Sequence, residues 1–173
     1  KSRFVWLAVL VIFGAAVSGY IQTQEQILAK AVVLAAFIPP IVDMGGNAGS
    51  QAASYMIRAL GTGEIPAYVK VLFSLLKKDL LVALLLGICL GALEGFITLI
   101  FKDVSFQIML TVIISMILVT VVGSFIGFIL PFVAFKAKLD PAVLSAPLIT
   151  SIMDLLGVVI YVGIAKLIVF QTY

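Results

Sequence analysis

Five stretches of this chain, residues 4–21, 27–60, 80–101, 107–135 and 145–170, stay apolar and nearly uncharged for long enough to cross a lipid bilayer. A hydrocarbon core of about 30 Å takes about 20 apolar residues as a helix, and inside it every backbone amide and carbonyl needs a partner within the protein. Only helices or a closed barrel meet that demand, and these runs are too long for barrel strands of about ten residues. The expected fold is all-α, a polytopic integral membrane protein with five transmembrane helices. An apolar share of 64%, a charged share of 11% and a mean hydropathy of +1.30 exclude an ordinary soluble domain.

The second and fourth runs exceed the length of one span, which predicts tilt, a kink or an extension past the bilayer. Pro39 and Pro40 are placed to bend the second. Residues 61–79 form the one sizeable polar connection, in which Gly61-Thr62-Gly63 marks a turn. Within it, residues 68–78 have the spacing of an amphipathic helix, with Val71, Leu72, Leu75 and Leu76 on one side. Such a helix would lie on the membrane or on neighbouring spans. A start at Lys1, without methionine and almost directly into the first span, reads as a fragment whose N-terminal part is missing. No signal-peptide pattern and no internal repeat is evident.

Cations set the expected orientation. With the N-terminus in the cytoplasm, Lys1, Arg3, Arg58, Lys70, Lys77, Lys78, Lys136 and Lys138 lie inside. Lys30 and Lys102 then lie outside, with Lys166 near the last exit, so the positive-inside bias predicts N-inside and C-outside in a multi-pass cell-membrane protein. The net charge of +3 fits anionic lipid headgroups and calls for no nucleic acid. The chain has no histidine, and its one cysteine, Cys89, sits in an apolar span as a small hydrophobe. No nucleophile is accompanied by a base, so the composition argues against an enzyme.

Against this apolar background, Asp154 stands near the middle of the fifth run. A carboxylate at that depth costs several kcal/mol unless it faces a protein interior or a wet cavity, so it marks an ion or proton pathway or a buried packing acid. Pro147, Thr150, Ser151, Asp154, Gly157 and Tyr161 recur at intervals of three and four, predicting one polar helix face. The second run holds the densest motif, Pro39-Pro40-Ile41-Val42-Asp43-Met44-Gly45-Gly46-Asn47-Ala48-Gly49-Ser50-Gln51. Asp43, Asn47, Ser50 and Ser54 share a helical face and all offer oxygen. The prolines and glycines, Gly46 among them, are expected to interrupt the helix and free backbone carbonyls. Oxygen ligands around a wet path suit a hard, partly hydrated divalent cation. Asp43 also reads as a structural acid toward the cytoplasmic side. The glycines do not form a phosphate loop, since the lysine and preceding strand are missing. Gly87, Gly91 and Gly95, and separately Gly123 and Gly127, are small residues at four-residue spacing and predict close helix packing. Glu94 adjoins the first stripe and is expected to face protein.

These motifs resemble the transmembrane domain of the MgtE family of magnesium channels. The resemblance is carried by Phe37-Ile38-Pro39, Gly45 through Gln51, Arg58-Ala59-Leu60, Asp140-Pro141-Ala142, Pro147, Thr150 and Asp154-Leu155-Leu156-Gly157, in order along essentially the whole chain. It implies a homodimer of five-helix protomers with spans two and five lining a pore at the two-fold axis. It implies that Asp154 recognises a Mg²⁺ ion that keeps most of its water, helped by backbone carbonyls near Thr150. Asn47 would line the cytoplasmic half of the path, and Asp140 would join a Mg²⁺-bridged closing contact. Cytosolic regulatory domains that sense Mg²⁺, an N-terminal helical domain and a paired cystathionine-synthase-type domain, are expected before the pore domain and are absent from these residues. Some relatives carry a polar residue where Ala146 precedes Pro147, so that side-chain ligand is lost here. Two other readings stay open on sequence alone: a transporter or exchanger coupled to Na⁺ or H⁺, and a non-transporting membrane subunit.

Overall fold

The computed structural model describes residues 2–30, 32–63, 69–101 and 104–169. Lys1, Tyr68 and Lys102 lie outside these, as do the side chains of Arg3, Lys30, Lys70 and Ala146. The described residues form helices α1 (Ser2–Thr23), α2 (Glu25–Lys30), α3 (Val32–Ala35), α4 (Ile38–Gly61), α5 (Val69–Phe101), α6 (Phe106–Lys136) and α7 (Pro141–Ile168). Four segments, not the five expected, are long and apolar enough to span a bilayer: Val32–Gly61, Val71–Ile100, Phe106–Lys136 and Pro147–Ile168. The apolar part of α1, Leu7–Thr23, rises only about 25 Å at about 1.5 Å per residue, short of a core about 30 Å thick. The expected homodimer with a pore on a two-fold axis finds no support in the structure, which is that of one protomer.

The long second run breaks where its prolines require it. Pro39 and Pro40 have no amide to give to the carbonyls four residues back, so a continuous helix cannot form there. The chain instead tightens into i to i+3 bonds, from the Ala36 amide to the Val33 carbonyl and from the Phe37 amide to the Leu34 carbonyl, each 3.2 Å. α4 then starts with proline in its first turn, where a missing amide does no harm. From Ile38 it runs unbroken through the glycine cluster to Gly61, so the glycines do not interrupt the helix as expected. It stops at the predicted turn, with Gly63 at φ +70, a conformation glycine adopts without strain.

The amphipathic segment after this turn is not a separate surface helix. It is the first part of α5, whose Leu72 and Leu76 are buried with Met56 and Phe128. α6 begins where the Ser105 side chain accepts the Ile108 amide, and its end is closed by Lys138 at φ 58 with the Leu139 amide bonded to the Ala134 carbonyl.

α6 is the hub. α4 and α7 pack on it and on each other, α5 packs on it, and α1 packs on α7. Burial of apolar side chains yields little in lipid, which is as apolar as they are, so association depends on close backbone approach and interhelical hydrogen bonds. Both are present. A Cβ on Gly123 or Gly127 would strike the backbones of Gly45 and Gly49, so α4 and α6 touch through paired glycines. The α5 stripe does the same against α6, with a Cβ on Gly87 reaching 3.0 Å from the Ile117 Cα and one on Gly91 reaching 3.1 Å from the Ile113 carbonyl oxygen. The fully buried Tyr161 hydroxyl donates to the Leu34 carbonyl at 2.9 Å and ties α7 to the break before α4.

Candidate ion-binding face

α4 and α7 run antiparallel. Gly46 lies against Thr150, where a Cβ would come 3.4 Å from the threonine methyl, and Gly157 lies against Val42, where it would come 3.1 Å from a valine methyl. This register brings Asp43 to the level of Asp154, midway along α7. The register thus sets the two acids on neighbouring turns of adjoining helices. Asn47, one turn along α4, donates from Nδ2 to Asp43 Oδ2 at 2.9 Å, a bond in which its own amide oxygen takes no part. Thr150, one turn before Asp154, donates to the Pro147 carbonyl at 2.9 Å. Asp43, Asn47, Thr150 and Asp154 are all exposed on the protomer, and Gly46 is the buried contact that lets their helices meet.

The predicted stripe on α7 therefore divides. Thr150 and Asp154 open outward, whereas Ser151, Gly157 and Tyr161 turn into the bundle. On α4, Ser54 is exposed and bonds the Ser50 carbonyl at 2.8 Å, and Ser50 is half-buried. Asp140 is not part of this face. It is exposed at the start of α7, about 21 Å along the helix axis from Asp154. Glu94 is half-buried on α5, also away from it. Among the described residues no three His, Cys, Asp or Glu side chains gather to seize a bare metal ion. A face with two acids, an amide oxygen and a hydroxyl is instead suited to an ion that keeps its inner water shell.

Asp79 escaped the sequence reading, which placed it in the polar connection. It lies in α5, half-buried, and accepts a 2.7 Å hydrogen bond from Ser124 Oγ on α6. A cavity of about 330 Å³ opens beside it between α4, α5 and α6. A signal was available: Asp79 and Ala83 continue the Gly87, Gly91, Gly95 stripe at the same four-residue spacing, which is the face of α5 that meets α6.

Fold and face together define an integral membrane domain built around an acidic, oxygen-bearing helix pair. Residues 38–164 match the sequence family described as MgtE, divalent cation transporter. The chain is 31% identical over 166 residues to the magnesium transporter MgtE of Thermus thermophilus, covering 96% of this chain and 36% of that protein. It is 31% identical over 163 residues to the magnesium transporter MgtE of Bacillus subtilis, with 94% and 36% covered, and 29% identical over 176 residues to that of Enterococcus faecalis, with 96% and 36% covered. The chain belongs to the MgtE family, and so to a family of transporters and not of enzymes. It spans about a third of the length of these relatives, 36% of each.

Proposed function

We propose that this chain is the membrane segment through which a magnesium channel passes Mg²⁺, and that the face of α4 and α7 is the wall the ion meets. The observation that carries this reading is the outward grouping of Asp43, Asn47, Thr150 and Asp154 at one level of a largely apolar bundle. Two carboxylates exposed there call for water and a counter-charge, and one divalent cation neutralises both. Direct coordination of Mg²⁺ demands near-octahedral ligands at about 2.1 Å, which two acids on neighbouring helices supply poorly. Recognition through retained water fits the face better, and an ion held through water can also leave.

Inward flow follows the membrane potential, worth about 2.3 kcal/mol per charge per 100 mV and about twice that for a divalent ion. The cation bias supports placing Arg58, Lys77, Lys78, Lys136 and Lys138 on the cytoplasmic side, with the end of α7 outside. Regulatory domains of the longer relatives would act on this segment through the α4–α5 and α6–α7 turns on that side. The reading is tested with the full-length protein in proteoliposomes. Mg²⁺ uptake is expected to be blocked by hexaamminecobalt(III), an inert mimic of hydrated Mg²⁺. Uptake insensitive to it would remove the claim of recognition through water, and no uptake at all would remove the transport reading.

A further inference from the structure

The cavity beside Asp79 is not part of the α4–α7 face, yet it reaches it. Along α4 it extends from Met44 to Tyr55, a rise of about 16 Å, and its polar lining is Asn47, Gln51, Tyr55, Asp79, Thr120 and Ser124. Each of these six carries a side-chain oxygen. Asn47 belongs to both places, since it lines the cavity and bonds Asp43.

The packing register fixes the depth of Asp79. Gly123 meets Gly45 and Gly127 meets Gly49, so Ser124, and with it Asp79, stands about one helical turn from the level of Asp43. Asp79 therefore sits near the Lys77–Lys78 end of the apolar part of α5, between the Tyr55 end of the cavity and the Asp43–Asp154 level. A half-buried carboxylate that takes a hydrogen bond from Ser124 and lines a cavity is arranged for a cation and water rather than for packing. The cavity also has room for a small ion with its water, whose own share of volume is about 30 Å³ per molecule.

We propose that this cavity is a second station for the transported cation, in which Asp79 holds a hydrated divalent ion and the oxygens of Gln51 and Asn47 lead it to the Asp43–Asp154 face. The proposal rests on the transport reading above for the ion's identity, and its geometry is independent of Asp154. Asp79 and Ser124 hold the ion on the α5–α6 wall, and Gln51 and Asn47 on the α4 wall; Val82 and Leu86 are among the apolar residues that line the rest.

The test uses full-length protein in proteoliposomes, with Cys89→Ser, no other reactive cysteine, and Ala48→Cys as a reporter on the α4 wall of the cavity. A cationic, water-soluble methanethiosulfonate is expected to modify the reporter, and Mg²⁺ at about ten times its dissociation constant slows that modification about tenfold. Asp79→Asn abolishes the protection and Asp79→Glu restores it. Asp154→Asn leaves it in place while lowering uptake, so failure of the cavity proposal and failure of the transport reading are told apart. Should Asp79→Asn not fold, Gln51→Leu reduces the protection severalfold. An unreactive reporter, modification indifferent to Mg²⁺, protection that survives Asp79→Asn, or protection by dodecylamine but not by Mg²⁺ would each overturn the proposal.

Discussion

Single residues separate into those whose chemistry is visible in the chain and those whose partners decide their role. Asp154 stands out in the chain because a carboxylate amid apolar residues has few meanings. Tyr161 does not, since a stripe with spacing of three and four is broad, and only the neighbours show that its inner edge faces the bundle while Asp154 faces out. Its hydroxyl is committed to the Leu34 carbonyl. Tyr161→Phe should lower stability by about 0.6–1.7 kcal/mol, the range of interhelical hydrogen bonds in membranes, seen as a lower thermal midpoint of the purified protein; an unchanged midpoint would mean the bond is idle. In the proposed reading Asp43 shares the ion with Asp154, and its carboxylate already accepts a hydrogen bond from Asn47. Asp43→Asn is expected to weaken Mg²⁺ affinity about two- to tenfold, the worth of one modest interaction of about 0.5–1.5 kcal/mol, measured from the concentration dependence of uptake.

At the scale of helices, the sequence announced the kink but not the contacts. Pro39 and Pro40 locate a break because the missing amides are a local fact, and it falls just ahead of them at residues 36–37. The Gly45 to Gly49 cluster was misread as a helix breaker because a sequence does not display the opposing surface, which turns out to be Gly123 and Gly127. The span was started late, at residue 80, because the charged Lys77, Lys78 and Asp79 divide the amphipathic stretch from the apolar run, although one helix passes through both. The glycine contacts predict an order of damage. Gly127→Ala drives a Cβ into the Gly49 backbone and should cost about 1–3 kcal/mol or prevent assembly. Gly46→Ala meets nothing nearer than the Thr150 methyl at 3.4 Å and should cost less. Gly163→Ala meets nothing within 4 Å and should be neutral or stabilising by up to about 1 kcal/mol through helix propensity. Thermal unfolding of the three variants in one detergent checks this order, and equal losses would contradict the packing.

For the whole molecule, hydropathy identified the all-α membrane class and four of the runs, but counted α1 as a fifth span although its apolar part is short. The four membrane-length helices among the described residues would put the start of α3 and the end of α7 on the same side of the bilayer, and the cation bias predicts a cytoplasmic α6–α7 turn. An impermeant thiol reagent applied to intact cells should label Ser105→Cys, in the α5–α6 turn, and spare Ala137→Cys until the membrane is opened; the reverse pattern would invert the topology. The central claim, that a divalent cation passes the α4–α7 face at Asp154, is tested most directly by Mg²⁺ uptake into proteoliposomes holding full-length protein with Asp154→Asn. Loss of a charge-assisted contact worth about 1.5–3 kcal/mol predicts a fall of about tenfold to a hundredfold with the protein still folded. Uptake equal to that of the unsubstituted protein would contradict it.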